Sequence, residues 1–385
     1  MATLLAVGDV GPYREEAPEE LFEYCSGVLG EADVTFCHLD TPYSDRGTPN
    51  VSRGTPRRGP KQALAALSSV GFDVVSFASN HGMDWGLDPF IDTLSQLRKS
   101  HAVIGAGMTL EEARKPAVLE FEDGTTVAFL GYCSIIMARL SGYVADVDKP
   151  GVAPLRVRTH YEPLVQHKDY TPGMPARVVT IAYPEDIEAM REDIRAIRDE
   201  VDLVVVSQHC GVTLIRAHVA MYQKEIARAA IDFGADVVLQ HHAHILRGVD
   251  FHKGKPIFYG LGDFGYEAGL STAGTDLIPG RREFKESEEL YGALRGNGTG
   301  GYVGPEERRL TMAARFEINF GKIQRVGFLP AKLNSQMQAS VYGQGDAEGR
   351  EVLEYMRAIS HEVGLNTRFA WDGDEITVKS PSRAD

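Results

Sequence analysis

The sequence has few cysteines, fewer basic than acidic residues, and no long apolar run. Its four cysteines show no Cys-x-x-C spacing, so neither a disulfide framework nor a thiolate zinc site is expected. The 40 basic residues against 54 acidic ones give a net charge of −14, which argues against binding to nucleic acid or to an anionic membrane. No stretch approaches the roughly 20 apolar residues of a membrane span, and the first apolar run lacks the basic flank of a signal peptide. We therefore expect a cytoplasmic protein with free thiols.

The rest of the composition is typical of a globular α/β protein. The chain has 385 residues, of which 43% are hydrophobic, enough for one large domain or two ordinary ones. Short apolar strands alternate with amphipathic helices, such as residues 185–199, where Ile187, Met190 and Ile194 share one face. This alternation predicts an α/β fold with short crossover connections.

Several stretches depart from that alternation. Residues 134–176 and 267–309 are rich in Gly, Pro and isolated charges and predict irregular insertions, the first of which we interpret as facing the substrate. Residues 44–60 carry four arginines and predict an exposed loop that is either a solvated surface or a clamp for an anionic substrate. A helix and a short hairpin are predicted after residue 335, so we divide the chain into a main domain (1–335) and a C-terminal extension (336–385).

Side chains of the metal-binding type occur at the ends of five predicted strands. In chain order they are Asp9, then His38 and Asp40, then Asn80 and His81, then His209, and finally His241, His242 and His244. Each has an ordinary explanation as a cap, turn or polar loop residue. Five such coincidences are improbable, because the carboxyl ends of parallel strands share one edge and converging polar groups cost free energy unless they serve a site. Since residues two apart on an extended backbone share a face, His242 and His244 are expected to converge.

The chemistry of these side chains indicates which ions they could bind. Mixed carboxylate, amide and imidazole ligands suit Mn, Fe or Zn, whereas Ca prefers oxygen ligands alone. The set suffices for one or two divalent ions, and two ions sharing a carboxylate can activate water against an ester or amide. Such an ion would also reverse the local field of an acidic protein, so a small anionic substrate is compatible with the composition.

The order of these motifs resembles the calcineurin-like metallophosphoesterase superfamily and, within it, the capsule-biosynthesis (CapA, poly-γ-glutamate) family. The resemblance covers about residues 1–330 and rests on Gly8-Asp9-Val10, Ala78-Ser79-Asn80-His81 with Asp84-Trp85-Gly86, His209-Cys210-Gly211, His241-His242-Ala243-His244-Ile245-Leu246 and Leu261-Gly262-Asp263-Phe264. It implies a metallophosphoesterase-like four-layer α-β-β-α sandwich with loop insertions.

The resemblance also implies roles for the residues of these motifs. It assigns one metal to Asp9 and His244, a second metal to Asn80, His209 and His242, and a bridging position to Asp40. His81 would stabilise or protonate the transition state, and Asp84, three residues later, is the other candidate catalytic residue.

The sequence departs from the family pattern at several positions. The superfamily motif Asp-x-His ends here in Gly11, so one ligand of the first metal is absent, as it commonly is in the capsule family. The family's Asn-Leu-Glu appears as His38-Leu39-Asp40, and its Pro before the last histidine as Ala243. His38 either compensates for the missing ligand or supports a ligand from behind. His241 is expected to be such a support or a bystander, and Asp263 a support or a turn residue.

These features together predict a metal-dependent hydrolase. Hydroxide generated at the metal would attack an amide, cyclic amide or ester of a small, possibly γ-glutamyl-like substrate. The alternatives are a phosphomonoesterase or phosphodiesterase, and a non-catalytic protein of capsule assembly or polymer binding. The sequence leaves the oligomeric state open, with a homo-oligomer as one alternative.

Overall fold

A computed structural model describes residues 1–50, 56–136, 143–163, 176–267 and 306–381. Its strands are β1 (Ala2–Gly11), β2 (Val34–Leu39), β3 (Val74–Ser76), β4 (Ala102–Ile104), β5 (Ala106–Gly107), β6 (Ala117–Glu120), β7 (Thr126–Cys133), β8 (Gly151–Val152), β9 (Val157–Pro163), β10 (Ala176–Ala182), β11 (Leu203–His209), β12 (Val237–His241), β13 (Val249–His252), β14 (Lys255–Phe258), β15 (Asp263–Tyr266), β16 (Leu310–Asn319), β17 (Lys322–Leu333), β18 (Ala339–Val341), β19 (Arg368–Asp372) and β20 (Glu375–Lys379). Its α-helices are α1 (Ser26–Leu29), α2 (Ala65–Val70), α3 (Leu87–Leu97), α4 (Leu110–Arg114), α5 (Pro184–Arg198), α6 (Met221–Phe233) and α7 (Ala347–Glu362).

Two β-sheets form the centre of the fold. The larger has ten strands in the order β19-β20-β17-β16-β1-β2-β3-β4, with β15 beside β1 and β18 beside β17. The smaller has six strands in the order β13-β14-β12-β11-β7-β6. Strands β1 to β4 run parallel to one another, as do β7, β11, β12 and β14. Each sheet therefore has an edge at which the carboxyl ends of several parallel strands meet.

The side chains of β1 show how the layers are stacked. Leu4 and Ala6 join a buried core that also contains Phe129 and Val205 of the smaller sheet, so this core lies between the sheets. Leu5 and Val7, on the alternate face, join a second core with residues of α2 and α3. A third core packs α5 and α6 against the smaller sheet. The predicted α/β fold, a four-layer α-β-β-α sandwich, is confirmed.

The prediction of irregular structure over residues 134–176 is wrong for part of that stretch. Strand β9 pairs with β10 in an antiparallel ribbon, in which Tyr161 lies opposite Val178 and Glu162 opposite Arg177. Residues 137–142 and 164–175 lie outside the described residues, as do residues 268–305 of the second predicted insertion. The interpretation that the first insertion faces the substrate stays a prediction.

The helix and hairpin expected near the C-terminus are present as α7 and β19–β20. Strand β20 pairs with β17, and buried residues of α7, including Val352 and Met356, join the core between the sheets. These elements thus continue the main fold, and the division of the chain at residue 335 stays a prediction.

Two further observations bear on the composition. The four cysteines are buried and form no disulfide, as expected. Among the described helices, none combines the length and the apolarity that crossing a bilayer requires.

Candidate metal centre

The strand ends of the two sheets meet, and the six predicted ligands form one cluster. His209 ends β11 in the smaller sheet, and its ring nitrogens lie 3.9 Å from Asp9 Oδ1 and 3.5 Å from Asp40 Oδ1 in the larger sheet. Asn80, His242 and His244 complete the cluster through contacts with these residues. All but His242 are almost completely buried. Because residues from both sheets contribute, the site exists only in the folded sandwich.

One side of the cluster, which we call the imidazole half, consists of Asn80, His209, His242 and Oδ1 of Asp40. His209 Nε2 lies 2.7 Å from Asn80 Oδ1, 3.2 Å from His242 Nδ1 and 3.5 Å from Asp40 Oδ1. With bonds of about 2.1 Å, neighbouring ligands of one ion lie roughly 3.0 to 3.4 Å apart. The 3.2 Å separation falls in this range and the 3.5 Å separation lies just above it, whereas the 2.7 Å separation is that of a hydrogen bond, so Asn80 would move slightly away from His209 to bind the same ion. His242 Nε2 lies 3.0 Å from the Thr213 hydroxyl, which leaves Nδ1 for the ion.

The other side, the carboxylate half, consists of Asp9, Asp263, His244 and Oδ2 of Asp40. His244 Nδ1 lies 2.7 Å from Asp263 Oδ1, and His244 Nε2 lies 3.8 Å from Asp40 Oδ2. Asp263 begins β15 and accepts a second hydrogen bond from Nε of Arg308 at 2.6 Å. Asp263 therefore orients a histidine of the cluster from behind, one of the two roles expected for it.

The reason given for the convergence of His242 and His244 is wrong. Strand β12 ends at His241, and the two histidines have positive φ angles of 83° and 55°. Their rings approach because the backbone turns, since extended alternation has already ended. Left-handed conformations of such residues cost about 1 to 3 kcal/mol each and persist only where the surroundings impose them. Here the His242 N–H donates to Asp9 Oδ2 at 3.1 Å, so a cluster residue itself helps to hold the turn.

The electrostatics of the cluster favour a bound cation. Burial, followed by repulsion from Asp40 and Asp263, raises the pKa of Asp9 well above its ordinary value. Burial and the neighbouring imidazoles lower the pKa of His209. Asp9 Oδ1 and His209 Nδ1 have no hydrogen-bond partner among the described residues. Because neutral imidazoles and buried carboxylates are the forms that ligate divalent ions, the residues present fit a metal.

His38 and His241 lie beneath the cluster at different depths. His38 Nδ1 lies 3.2 Å from the Ser76 hydroxyl, and its Nε2 is 3.8 Å from Asp9 Oδ1. Its ring stacks on His209 at 4.3 Å, so His38 touches the ligands themselves. The ring of His241 stacks on the far side of this contact, 4.9 Å from that of His38, and burial lowers the pKa of His241 to about 3. Neither nitrogen of His241 has a hydrogen-bond partner in the described part of the chain, which favours the bystander role.

The two candidate catalytic residues form a hydrogen-bonded pair beside the cluster. His81 Nδ1 lies 2.5 Å from Asp84 Oδ2. Burial lowers the pKa of His81, although Asp84 opposes the shift. Ser79 connects the pair to the cluster, because its hydroxyl donates to Asp40 Oδ1 at 2.9 Å and accepts from the His81 N–H. The pair is thus positioned to exchange a proton at the edge of the cluster.

Sequence reasoning missed three residues of the site: Tyr266, Arg57 and Arg308. The Tyr266 hydroxyl donates to Asp40 Oδ2 at 2.8 Å and accepts a hydrogen bond from the Arg57 guanidinium. Arg57 comes from the basic loop, whose inward-facing part thus resembles the clamp more than the solvated surface. Arg308 comes from a stretch predicted to be irregular. The one signal in the sequence was Gly11, which stands where the superfamily has a ligand histidine. Because protein interiors contain few voids, another side chain is expected to fill the space of the absent imidazole.

Comparison with known proteins places these motifs in a family. The family model described as "Bacterial capsule synthesis protein PGA_cap" matches residues 3–267. The chain is 25% identical over 344 residues to the "PGA biosynthesis protein CapA" of Bacillus subtilis (strain 168), covering 87% of this chain and 75% of that protein. It is 26% identical over 232 residues to a "probable polyglutamine synthesis accessory protein" of Mycobacterium tuberculosis (strain CDC 1551 / Oshkosh), covering 60% of this chain and 55% of that protein.

Solved structures are similar at a lower level. A crystal structure of a hypothetical protein from Thermus thermophilus is 14% identical with a TM-score of 0.45, covering 86% of this chain and 99% of that one. A structure described as a novel phosphatase of Mycoplasma pneumoniae is 11% identical with a TM-score of 0.43, covering 99% of this chain and 95% of that one.

Proposed function

The chain belongs to the bacterial capsule synthesis protein PGA_cap family, and on this premise we propose that it is a metal-dependent hydrolase. Its substrate would be a small anionic molecule with an amide, cyclic amide or ester bond, of a γ-glutamyl-like kind. The observation that carries the proposal is the buried cluster of carboxylates, amide and imidazoles with the spacing of metal ligands. Mn, Fe or Zn suits these ligands.

The residues of the cluster would hold the ion, and their neighbours would handle the substrate. When bound, a divalent ion polarises a carbonyl or phosphoryl oxygen and acidifies water. Asp84, at Nδ1 of His81, holds that imidazole in one orientation, and Nε2 would be the nitrogen that gives a proton to the leaving group. Arg57 keeps part of its surface exposed, and its planar guanidinium suits a substrate carboxylate.

The names of the relatives support the proposed substrate class, and they also support a second candidate function. Two of them refer to PGA biosynthesis and to polyglutamine synthesis, which supports a γ-glutamyl-like substrate for this chain. The second of these names says "accessory protein", and this favours, as a second candidate, a non-catalytic role in polymer assembly or binding. The four buried cysteines, which form no disulfide, support the proposal of a reducing, cytoplasmic location.

Metal analysis combined with a substrate panel tests the proposal. Protein purified without chelators should contain stoichiometric Mn, Fe or Zn by plasma mass spectrometry. It should hydrolyse γ-glutamyl amides, cyclic amides or aryl esters faster than aryl phosphates, and lose this activity with the metal on dialysis against a chelator.

Three outcomes separate the candidates. Protein that binds no metal, or that holds metal but turns over no member of the panel, would favour the accessory role. If aryl phosphates are turned over faster, the proposed substrate class changes from an amide or carboxylic ester to a phosphoester. The variant His361→Asn, at an exposed position of α7, serves as a control that should keep both metal and activity.

A further inference from the structure

We infer that Tyr266 takes the place of a metal ligand, and that the protein holds one tightly bound divalent ion, in the imidazole half. In the carboxylate half, Tyr266 and two arginines supply the hydrogen bonds and positive charge that a second ion would otherwise supply. This inference rests on the proposed metal centre and adds to it the number and position of the ions.

The first support is steric. Gly11 lies opposite Tyr266 in the pairing of β1 with β15. A Cβ atom on residue 11 would lie 2.3 Å from Cδ2 and 2.5 Å from Cε2 of the Tyr266 ring. The ring is completely buried and stacks on His244 at 5.0 Å, so it has no room to move aside. A side chain at position 11 and the Tyr266 ring therefore exclude each other, and the residue that would complete a second metal position cannot be accommodated.

The second support is the use made of Asp40. One way for a carboxylate to bridge two ions is to give one oxygen to each. Oδ1 of Asp40 faces the imidazole half, 3.5 Å from His209 Nε2. Oδ2 already accepts a hydrogen bond from Tyr266 at 2.8 Å. The phenol thus occupies the oxygen through which Asp40 would reach a second ion.

The third support is the bonding of the other two carboxylates. Both oxygens of Asp263 have partners, Arg308 and His244. Asp9 Oδ2 accepts the N–H of His242. The remaining oxygen, Asp9 Oδ1, lies 3.9 Å from His209 and so faces the imidazole half. Apart from Asp9 Oδ1, the carboxylate oxygens of the carboxylate half accept hydrogen bonds from protein donors, whereas in the imidazole half His209 Nε2, Asn80 Oδ1 and His242 Nδ1 converge on one another.

The fourth support is the charge balance. Arg57 lies at the Tyr266 hydroxyl and Arg308 at Asp263. These two guanidinium groups already bring positive charge to the carboxylate half. A second divalent ion would have to bind in the same buried region as these two cations, where like charges repel strongly. The imidazole half carries no arginine among its four members and has the shared Asp40 as its carboxylate.

Counting bound ions tests the inference separately from the proposed function. After saturation with Mn(II) and gel filtration, the wild-type protein should hold one ion per chain and give a mononuclear electron paramagnetic resonance signal. No bound ion would overturn the metal-dependent function itself. Two bound ions, with a spin-coupled signal, would leave that function standing and overturn the inference.

Two variants sharpen the count. Gly11→His with Tyr266→Ala removes the ring and restores a ligand, so the stoichiometry should rise from one to two. A double variant that folds by circular dichroism and still binds one ion would contradict the role of Tyr266. If the double variant does not fold, Tyr266→Phe decides, because it keeps the ring and removes only the hydroxyl. One bound ion in this variant would support exclusion of a second ion by the ring, and two bound ions would refute that exclusion.

Discussion

The two halves of the metal centre share Asp40 but differ in how their polar atoms are satisfied. In the carboxylate half, Asp263 binds Arg308 and His244, and Asp40 Oδ2 binds Tyr266. In the imidazole half, His209 Nε2 lies 2.7 Å from Asn80 Oδ1 and 3.2 Å from His242 Nδ1, and His209 Nδ1 has no hydrogen-bond partner within the described ranges. An unsatisfied buried polar group costs about 1 to 3 kcal/mol. A cation would therefore stabilise the imidazole half more than the carboxylate half, where protein groups already satisfy the carboxylate oxygens except Asp9 Oδ1.

Alanine substitution of one histidine in each half tests this difference most directly. His209→Ala should lower metal affinity by more than about 100-fold, which exceeds the loss typical of residues that merely support a ligand. His244→Ala should lower it by less than about 10-fold, because His244 already has Asp263 as a partner and faces Tyr266. Competition with a fluorescent chelator measures both affinities.

The two variants serve as controls for each other, since both remove a buried imidazole from the same cluster. Equal losses of affinity would mean that one ion, or a pair of ions, uses both halves alike, and the contrast between them would be wrong. Metal-dependent shifts of the melting temperature provide an independent readout, because an ion that binds the folded state stabilises it.

Much of this fold follows from local patterns, and the failures occur where distant contacts decide. The periodicity of residues 185–199 predicted α5 within one residue at each end. Strand β9 was not predicted, because the Pro- and Gly-rich stretch around it has no periodicity and its order comes from pairing with β10. Strand β15 was not predicted, because it is short and forms by pairing with β1, more than 250 residues earlier in the chain.

The candidate site divides in the same way. Asp9 and Asp40 were predictable because the carboxyl ends of neighbouring parallel strands share an edge, whereas His209 ends a strand of the other sheet and meets them only because the two sheets pack together. Tyr266 and Arg57 were not predictable, because their hydrogen bond joins residues 209 positions apart and depends on the completed sandwich. The turn at His242 could not be foreseen either, because histidine adopts positive φ more often than most residues other than glycine but still does so at a small minority of positions.

The pair beside the cluster should affect catalysis without affecting metal binding. His81→Asn should reduce turnover by about 10² to 10⁴, the usual contribution of a positioned acid or base. Asp84→Asn should reduce it by a smaller factor, because the imidazole remains and loses only the partner at Nδ1. Both variants should keep the wild-type metal content, measured by plasma mass spectrometry alongside kcat. Loss of the ion in either would move His81 into the set of ligands and enlarge the cluster beyond the two halves.

The smallest expected effect concerns His241, the histidine beneath the imidazole half. Its ring is completely buried between His38 and Phe36, and both its nitrogens are without hydrogen bonds among the described residues. His241→Leu removes these polar atoms at similar volume, so the free energy of unfolding should stay unchanged or rise by about 1 kcal/mol. Urea denaturation with chelator present measures this change, and Leu239→Ala in the same strand should instead cost about 2 to 5 kcal/mol through the cavity it leaves. Loss of the bound ion from His241→Leu would show that the imidazole half extends below His209 and is larger than the four residues that define it. Destabilisation of His241→Leu with chelator present would instead contradict the bystander role of His241.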